Sequence, residues 1–136
     1  MEVYGISAVT LIVNSMKASC DFYSQIPGFK LVYGGATDAF TTFELYRGDT
    51  LLNLEERSNS NEIEKRAIEF GRIIFYTNAV DRLYQHLRHN AALSKLVFYE
   101  NEPVDAPWGE RFFHLRDPDG YQLSFAQPIR TRRALH

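Results

Sequence analysis

His114 and Ser124 stand on either side of DPDG at 117–120, within the run WGERFFHLRDPDGYQLSFAQP from 108 to 128. An imidazole donates a hydrogen bond or carries a proton near neutral pH, and a hydroxyl opposite it can hold the ring. Arg72, which opens the run RIIFYT, brings a planar charged fork suited to an anionic or carbonyl-bearing ligand. Tyr76, Trp108 and Phe112 offer flat apolar area. Glu44 and Asn53, from FTTFELYRGDTLLNLEER, add a carboxylate and an amide. Plainer readings compete: an ion pair of Arg72 with Glu44, a hydrogen bond of His114 to Ser124, and core packing for Phe112. Glu55 and Glu110 read as rim carboxylates for a cationic ligand or as solubilising charges. His86 and His89 are one helical turn apart, a metal-binding spacing only if further ligands join them; otherwise they mark a solvated helix face. Phe22 and Tyr23 read as core.

These residues need elements to hold them. ISAVTLIV at 6–13 is short and β-branched, and Asn14-Ser15 can cap a helix through MKASCDFYSQI. Pro27-Gly28 stops that helix, KLVYGG at 30–35 supplies a strand, and the run around Arg47-Gly48-Asp49 alternates like a hairpin. After the polar connector at 58–70, which can itself form a short helix, the order begins again. RIIFYT is a strand, VDRLYQHLRHN a helix with Val80, Leu83, Tyr84 and Leu87 at helical spacing, and KLVFYEN at 95–101 a second strand. Laying Ala8 on Arg72 also lays Asn14 on Asn78, and one further position lays KLVY on KLVF. Four-residue echoes arise by chance, but the repeated order of elements points to duplication.

The register of each hairpin separates core from site. In DPDG, Pro118 suits the first central turn position and Gly120 a left-handed closing residue, so Asp117 pairs with Tyr121. Leu115 then faces Leu123, Phe113 faces Phe125, His114 faces Ser124 and Arg116 faces Gln122: one apolar face and one mixed face. The same test on the first hairpin pairs Leu45 with Leu52 and Phe43 with Leu54, leaving Glu44 opposite Asn53 on the mixed face.

Composition narrows the function classes. The chain has 136 residues, 45% of them hydrophobic, and a net charge of -2, which suits a globular domain and gives no electrostatic footprint for nucleic acid. The tail IRTRRALH reads as a solvated end rather than a binding arm. A lone Cys20 excludes an internal disulfide, and no apolar run reaches membrane-spanning length. No membrane partner and a cytoplasmic location are expected.

The segments AVTLIVNSMKASCDFYSQIPGFKLV and WGERFFHLRDPDGYQLSF, with the repeated strand–helix–three-strand order, resemble the vicinal oxygen chelate superfamily. This superfamily includes glyoxalase I, extradiol dioxygenases, fosfomycin-resistance enzymes and bleomycin-resistance proteins. The resemblance covers 6–128 and implies an α+β fold: two βαβββ modules, about 1–57 and 71–128, form a curved mixed sheet around a cavity, with the helices on the outer face. It also implies a single domain, with a tail at 129–136, and a homodimer. In metal-dependent relatives, His or Glu from the first and last strands of the modules hold a divalent ion that acts as a Lewis acid. The matching positions here hold Ala8, Asn53, Arg72 and Ser124, so no metal and no cofactor are expected. His114 falls where some extradiol relatives carry an active-site tyrosine, which makes it the candidate catalytic residue.

The expectation is a metal-independent small-molecule binding protein of the resistance or sequestration type. Its ligand-binding residues are Arg72, Glu44, Asn53, His114, Ser124, Tyr76, Trp108 and Phe112. One alternative is a divalent-metal-dependent lyase, isomerase or dioxygenase with non-standard ligands such as Glu44 and His114. Another is a non-catalytic structural dimer whose cup is filled by its own side chains.

Overall fold

The structure, a computed structural model, describes residues 1–3, 5–57 and 71–129. The expected connector helix within 58–70 and the arginines of the tail at 130–136 lie outside the described residues. The chain divides into two compact units, Met1–Ile63 and Glu64–His136.

In the first unit, β1 (Ala8–Val13) leads into helix α1 (Met16–Tyr23), followed by β2 (Phe29–Tyr33), β3 (Phe40–Leu45) and β4 (Thr50–Glu56). The sheet order is β1-β4-β3-β2, with β1 parallel to β4 and the other neighbours antiparallel. Ser15 begins α1: its side chain accepts from the Ala18 amide. The Met16 amide donates to Glu56 Oε2 at 2.8 Å, so the last strand supplies a second cap. Met16, Cys20, Phe22 and Tyr23 are buried, as are Leu11, Val13, Phe43, Leu52 and Leu54 of the sheet, which places this unit's core under α1.

The second unit repeats the order. Strand β5 (Arg72–Tyr76) precedes helix α2 (Val80–Arg88), a single 3-10 turn (Ala91–Leu93), and strands β6 (Phe98–Tyr99), β7 (Val104–Ala106), β8 (Glu110–Arg116) and β9 (Gln122–Pro128). Its sheet runs β5-β9-β8-β6, with β5 parallel to β9 and β7 pairing with β8. No side chain of its own N-cap residue, Ala79, closes α2; instead the Val80 amide donates to Gln127 Oε1 at 2.8 Å. The last strand therefore caps the helix in both units, a correspondence that supports duplication more firmly than the KLV echo. Val80, Leu83, Tyr84 and Leu87 face Phe113, Leu115, Leu123 and Phe125, all buried, and the Phe113 and Phe125 rings stack 5.3 Å apart.

The second hairpin has the expected register, including His114 opposite Ser124. Asp117 holds its turn: its amide donates to the Tyr121 carbonyl, and its Oδ1 accepts from the amides of Asp119 and Tyr121. The first hairpin differs. Phe43 pairs with Leu52, Leu45 with Thr50, and Glu44 with Leu51, while Asn53 lies opposite Thr42. The Gly48 amide bonds the Leu45 carbonyl at 2.9 Å, with Tyr46 and Gly48 both at positive φ, so the chain reverses in a tighter loop than expected. A shift of two residues keeps every side chain on its face. The second sheet also has five strands rather than four, because β7 adds an edge, and the strand expected at 95–101 shrinks to Phe98–Tyr99. No helix among the described residues is long and apolar enough to cross a membrane.

Candidate functional site

On the face of the second sheet away from α2, the register lays side chains in rows. Arg72, Gln122 and Arg116 form one row, Ile74, Ser124 and His114 the next, and Tyr76, Ala126 and Phe112 a third. The end of the sheet carrying the arginines is charged, and the other end is aromatic.

Arg72 reaches from its own row into the next. Its Nη1 donates to the Leu123 carbonyl at 2.9 Å and to Ser124 Oγ at 3.1 Å, and its Nη2 donates to Glu100 Oε1 at 3.0 Å. Glu100 also meets Arg116, Nε to Oε2 at 3.4 Å. The carboxylate paired with Arg72 is thus Glu100 of its own unit, not the expected Glu44. Ser124, 1% exposed, bonds His114 Nδ1 through the same hydroxyl that receives Arg72. Burial first, and the Arg72 charge second, hold the His114 imidazole below its usual value of 6.5, against the opposite pull of Glu100. Asn101 fixes the strand here, its Oδ1 accepting from the His114 amide at 2.8 Å.

The aromatic end continues from this cluster. Phe112 lies 4.7 Å from the His114 ring, and Trp108 stacks on Phe112 at 6.2 Å with 16° between planes. Trp108 Nε1 donates to Glu110 Oε1 at 2.9 Å. Trp108 is 56% exposed and Tyr76 68%, so their area is not consumed by the unit's core. Arg72, His114 and Ser124 are therefore in direct contact, with Phe112 and Trp108 adjoining and Tyr76 on the same face.

Glu44 and Asn53 belong to the first unit. Thr42 Oγ1 donates to Asn53 Oδ1 at 2.7 Å, and Asn53 Nδ2 donates to Thr10 Oγ1 at 3.3 Å, a polar ladder across three strands. Glu44 bends over its own turn, where a Cβ added to Gly48 would lie 3.1 Å from Glu44 Oε2. Glu55 binds Arg57. Phe22 and Tyr23 are buried, and His86 and His89 are exposed. Sequence reasoning misses Glu100 and Asn101: they follow a two-residue strand, and nothing in KLVFYEN marks their reach to β5 and β8. Arg116 falls on the mixed face by the hairpin pattern, but that pattern marks no role for it.

A divalent ion needs oxygen or nitrogen lone pairs converging on it. In the first unit, the implied positions offer Ala8, with no donor atom, and Asn53, whose oxygen already accepts from Thr42. In the second they offer a guanidinium and a hydroxyl bonded to each other. These residues do not fit the metal of the metal-dependent relatives, and no other cluster of three or more His, Cys, Asp or Glu is placed to hold one among the described residues.

The two units, each a sheet backed by a helix, define the class of fold, and comparison with known proteins agrees. The profile of the Glyoxalase/Bleomycin resistance protein/Dioxygenase superfamily matches residues 5–125, and the chain belongs to that superfamily. A superfamily member from Sphaerobacter thermophilus is 25% identical, with 92% of this chain and 98% of that one covered and a TM-score of 0.68. A lactoylglutathione lyase from Agrobacterium tumefaciens is 20% identical over 93% of this chain and 95% of its own, TM-score 0.68. A glyoxalase family protein from Bacillus cereus is 15% identical over 96% and 97%, TM-score 0.71. No curated protein matches the chain.

Proposed function

We propose that this chain binds a small organic molecule on the second sheet, on the face away from α2, without a divalent metal, in the manner of a resistance or sequestration protein. The observation that carries this reading is the hydrogen bond from Arg72 Nη1 to Ser124 Oγ. It sets a permanent cation against the hydroxyl at two positions where metal-dependent relatives place anionic or neutral ligands. Arg72 and His114 orient the ligand by hydrogen bonds, and Phe112, Trp108 and Tyr76 provide apolar area on one side. Asn53 is bonded to Thr42 and Thr10 of its own unit, and Glu44 lies by its own turn, which leaves both secondary in this reading.

A thermal-shift screen of small planar organic molecules, run on protein treated with chelator, tests the proposal. Stabilisation by at least one compound, lost in Arg72→Gln, is the expected result. Stabilisation only after Mn, Fe, Ni or Zn is restored would place the chain with the metal-dependent lyases and dioxygenases instead. A flat screen in both conditions favours a structural role.

A further inference from the structure

Ser124 has one hydroxyl hydrogen and two acceptor lone pairs, and it is almost wholly enclosed. Arg72 can only donate, so Ser124 Oγ accepts from Nη1. The other partner is His114 Nδ1. A buried hydroxyl hydrogen without an acceptor is costly, which turns the Ser124 O–H toward Nδ1 and places the ring proton on Nε2. Among the described residues His114 Nε2 has no hydrogen-bond partner, and neither do the Nε–H and second Nη2–H of Arg72. Among the described residues, the unpartnered polar groups of Arg72 and His114 are therefore donors.

We propose that Ser124 is a positioning residue that fixes His114 as an Nε2–H donor, and that His114 and Arg72 together select small aromatic carboxylates over neutral or cationic analogues. The proposal rests on the second sheet being a binding site and names the class of ligand it takes.

Three observations support it. At the arginine end, Arg72 and Arg116 both meet the carboxylate of Glu100, and Arg72 keeps N–H donors that this carboxylate does not take among the described residues. Burial and Arg72 lower the His114 pKa and so favour the neutral ring, and the Ser124 contact at Nδ1 leaves the ring proton for Nε2. Because Arg72 reaches Ser124, both donors lie in the middle row, and the Phe112 ring lies beside it, 4.7 Å from the His114 ring. A phenyl ring joined to a carboxylate by a short flexible link can set its acid at the donors and its ring against the aromatic end. Glu110 lies two same-face steps from His114 along β8, and its Oε1 already accepts from Trp108 Nε1.

The test uses the full chain and three probes of one shape: phenylpropionate, phenylpropanamide and phenylpropylamine, titrated by calorimetry at low salt. The acid is expected to bind at least about tenfold tighter than the amide, and the amine weakest. Arg72→Gln abolishes the preference, and Arg72→Lys, which keeps the charge, retains its sense. Imidazole nitrogen chemical shifts report the second half of the proposal: His114 is protonated at Nε2 in the wild type and becomes a tautomer mixture in Ser124→Ala, with a smaller acid-over-amide ratio. Amide or amine binding as tightly as the acid overturns the selection and leaves the binding reading standing. Failure of all three probes to bind overturns the selection too, while a hit elsewhere in the wider screen would still preserve that reading. A wild-type His114 protonated at Nδ1 overturns the role of Ser124.

Discussion

Arg72 and Ser124 are hydrogen-bonded at 3.1 Å across β5 and β9, and the same serine oxygen holds His114 on β8. One small buried hydroxyl thus ties three strands. Replacing it with alanine strips a partner from both the guanidinium and the imidazole. Ser124→Ala should cost about 1–3 kcal/mol, read as a lower urea midpoint with an unchanged m-value.

The depressed His114 pKa links stability to pH. Burial first, then Arg72, favours the neutral imidazole, so the unfolded chain binds a proton more readily than the folded one. The stabilisation is fully present above the usual value of 6.5 and is lost as pH falls from there through the folded pKa. Urea midpoints measured from pH 8 to pH 5 should drop over that window. In His114→Gln this part of the drop should vanish; an identical profile in the variant would remove His114 as its source.

Both helices borrow a cap from the last strand of their own unit. Glu56→Ala and Gln127→Ala each remove the acceptor for a first-turn amide, of Met16 and Val80. Each should cost about 1 kcal/mol. Glu56→Gln, which retains an acceptor oxygen, should lose less than Glu56→Ala. Equal losses would assign the effect to charge rather than to capping.

Two glycines separate backbone strain from steric collision. Gly34 and Gly28 both have positive φ, at 77° and 95°. A Cβ on Gly34 would sit 2.2 Å from the Phe40 carbonyl oxygen, whereas one on Gly28 meets nothing within 4 Å. Gly28→Ala should cost about 1–2 kcal/mol from φ alone. Gly34→Ala must also displace backbone, and a loss above about 3 kcal/mol in thermal or urea unfolding is expected.

What the sequence made legible followed from local chemistry. DPDG carries its own turn type, so the register of β8 and β9, and with it the His114–Ser124 pair, could be counted outward from Gly120. The Tyr46–Gly48 turn depends on a non-glycine residue at positive φ, which no residue pattern announces, and the register there was displaced by two. EPVDAPWG has two prolines and no clean alternation, which hid β7. The Arg72–Glu100 pair joins residues far apart in the chain through a strand of two residues. Distance and brevity left no periodic signal for it. The resemblance carried the fold across both units, but it says nothing of the contacts that Arg72 makes.

The most direct test of the central claim is calorimetric titration of phenylpropionate into protein stripped with chelator and, separately, into protein supplied with Mn, Fe, Ni or Zn. The affinities should agree within error, with no stoichiometric metal by elemental analysis. Binding that appears only in the metal-supplied protein, and that survives Arg72→Gln, would contradict the account.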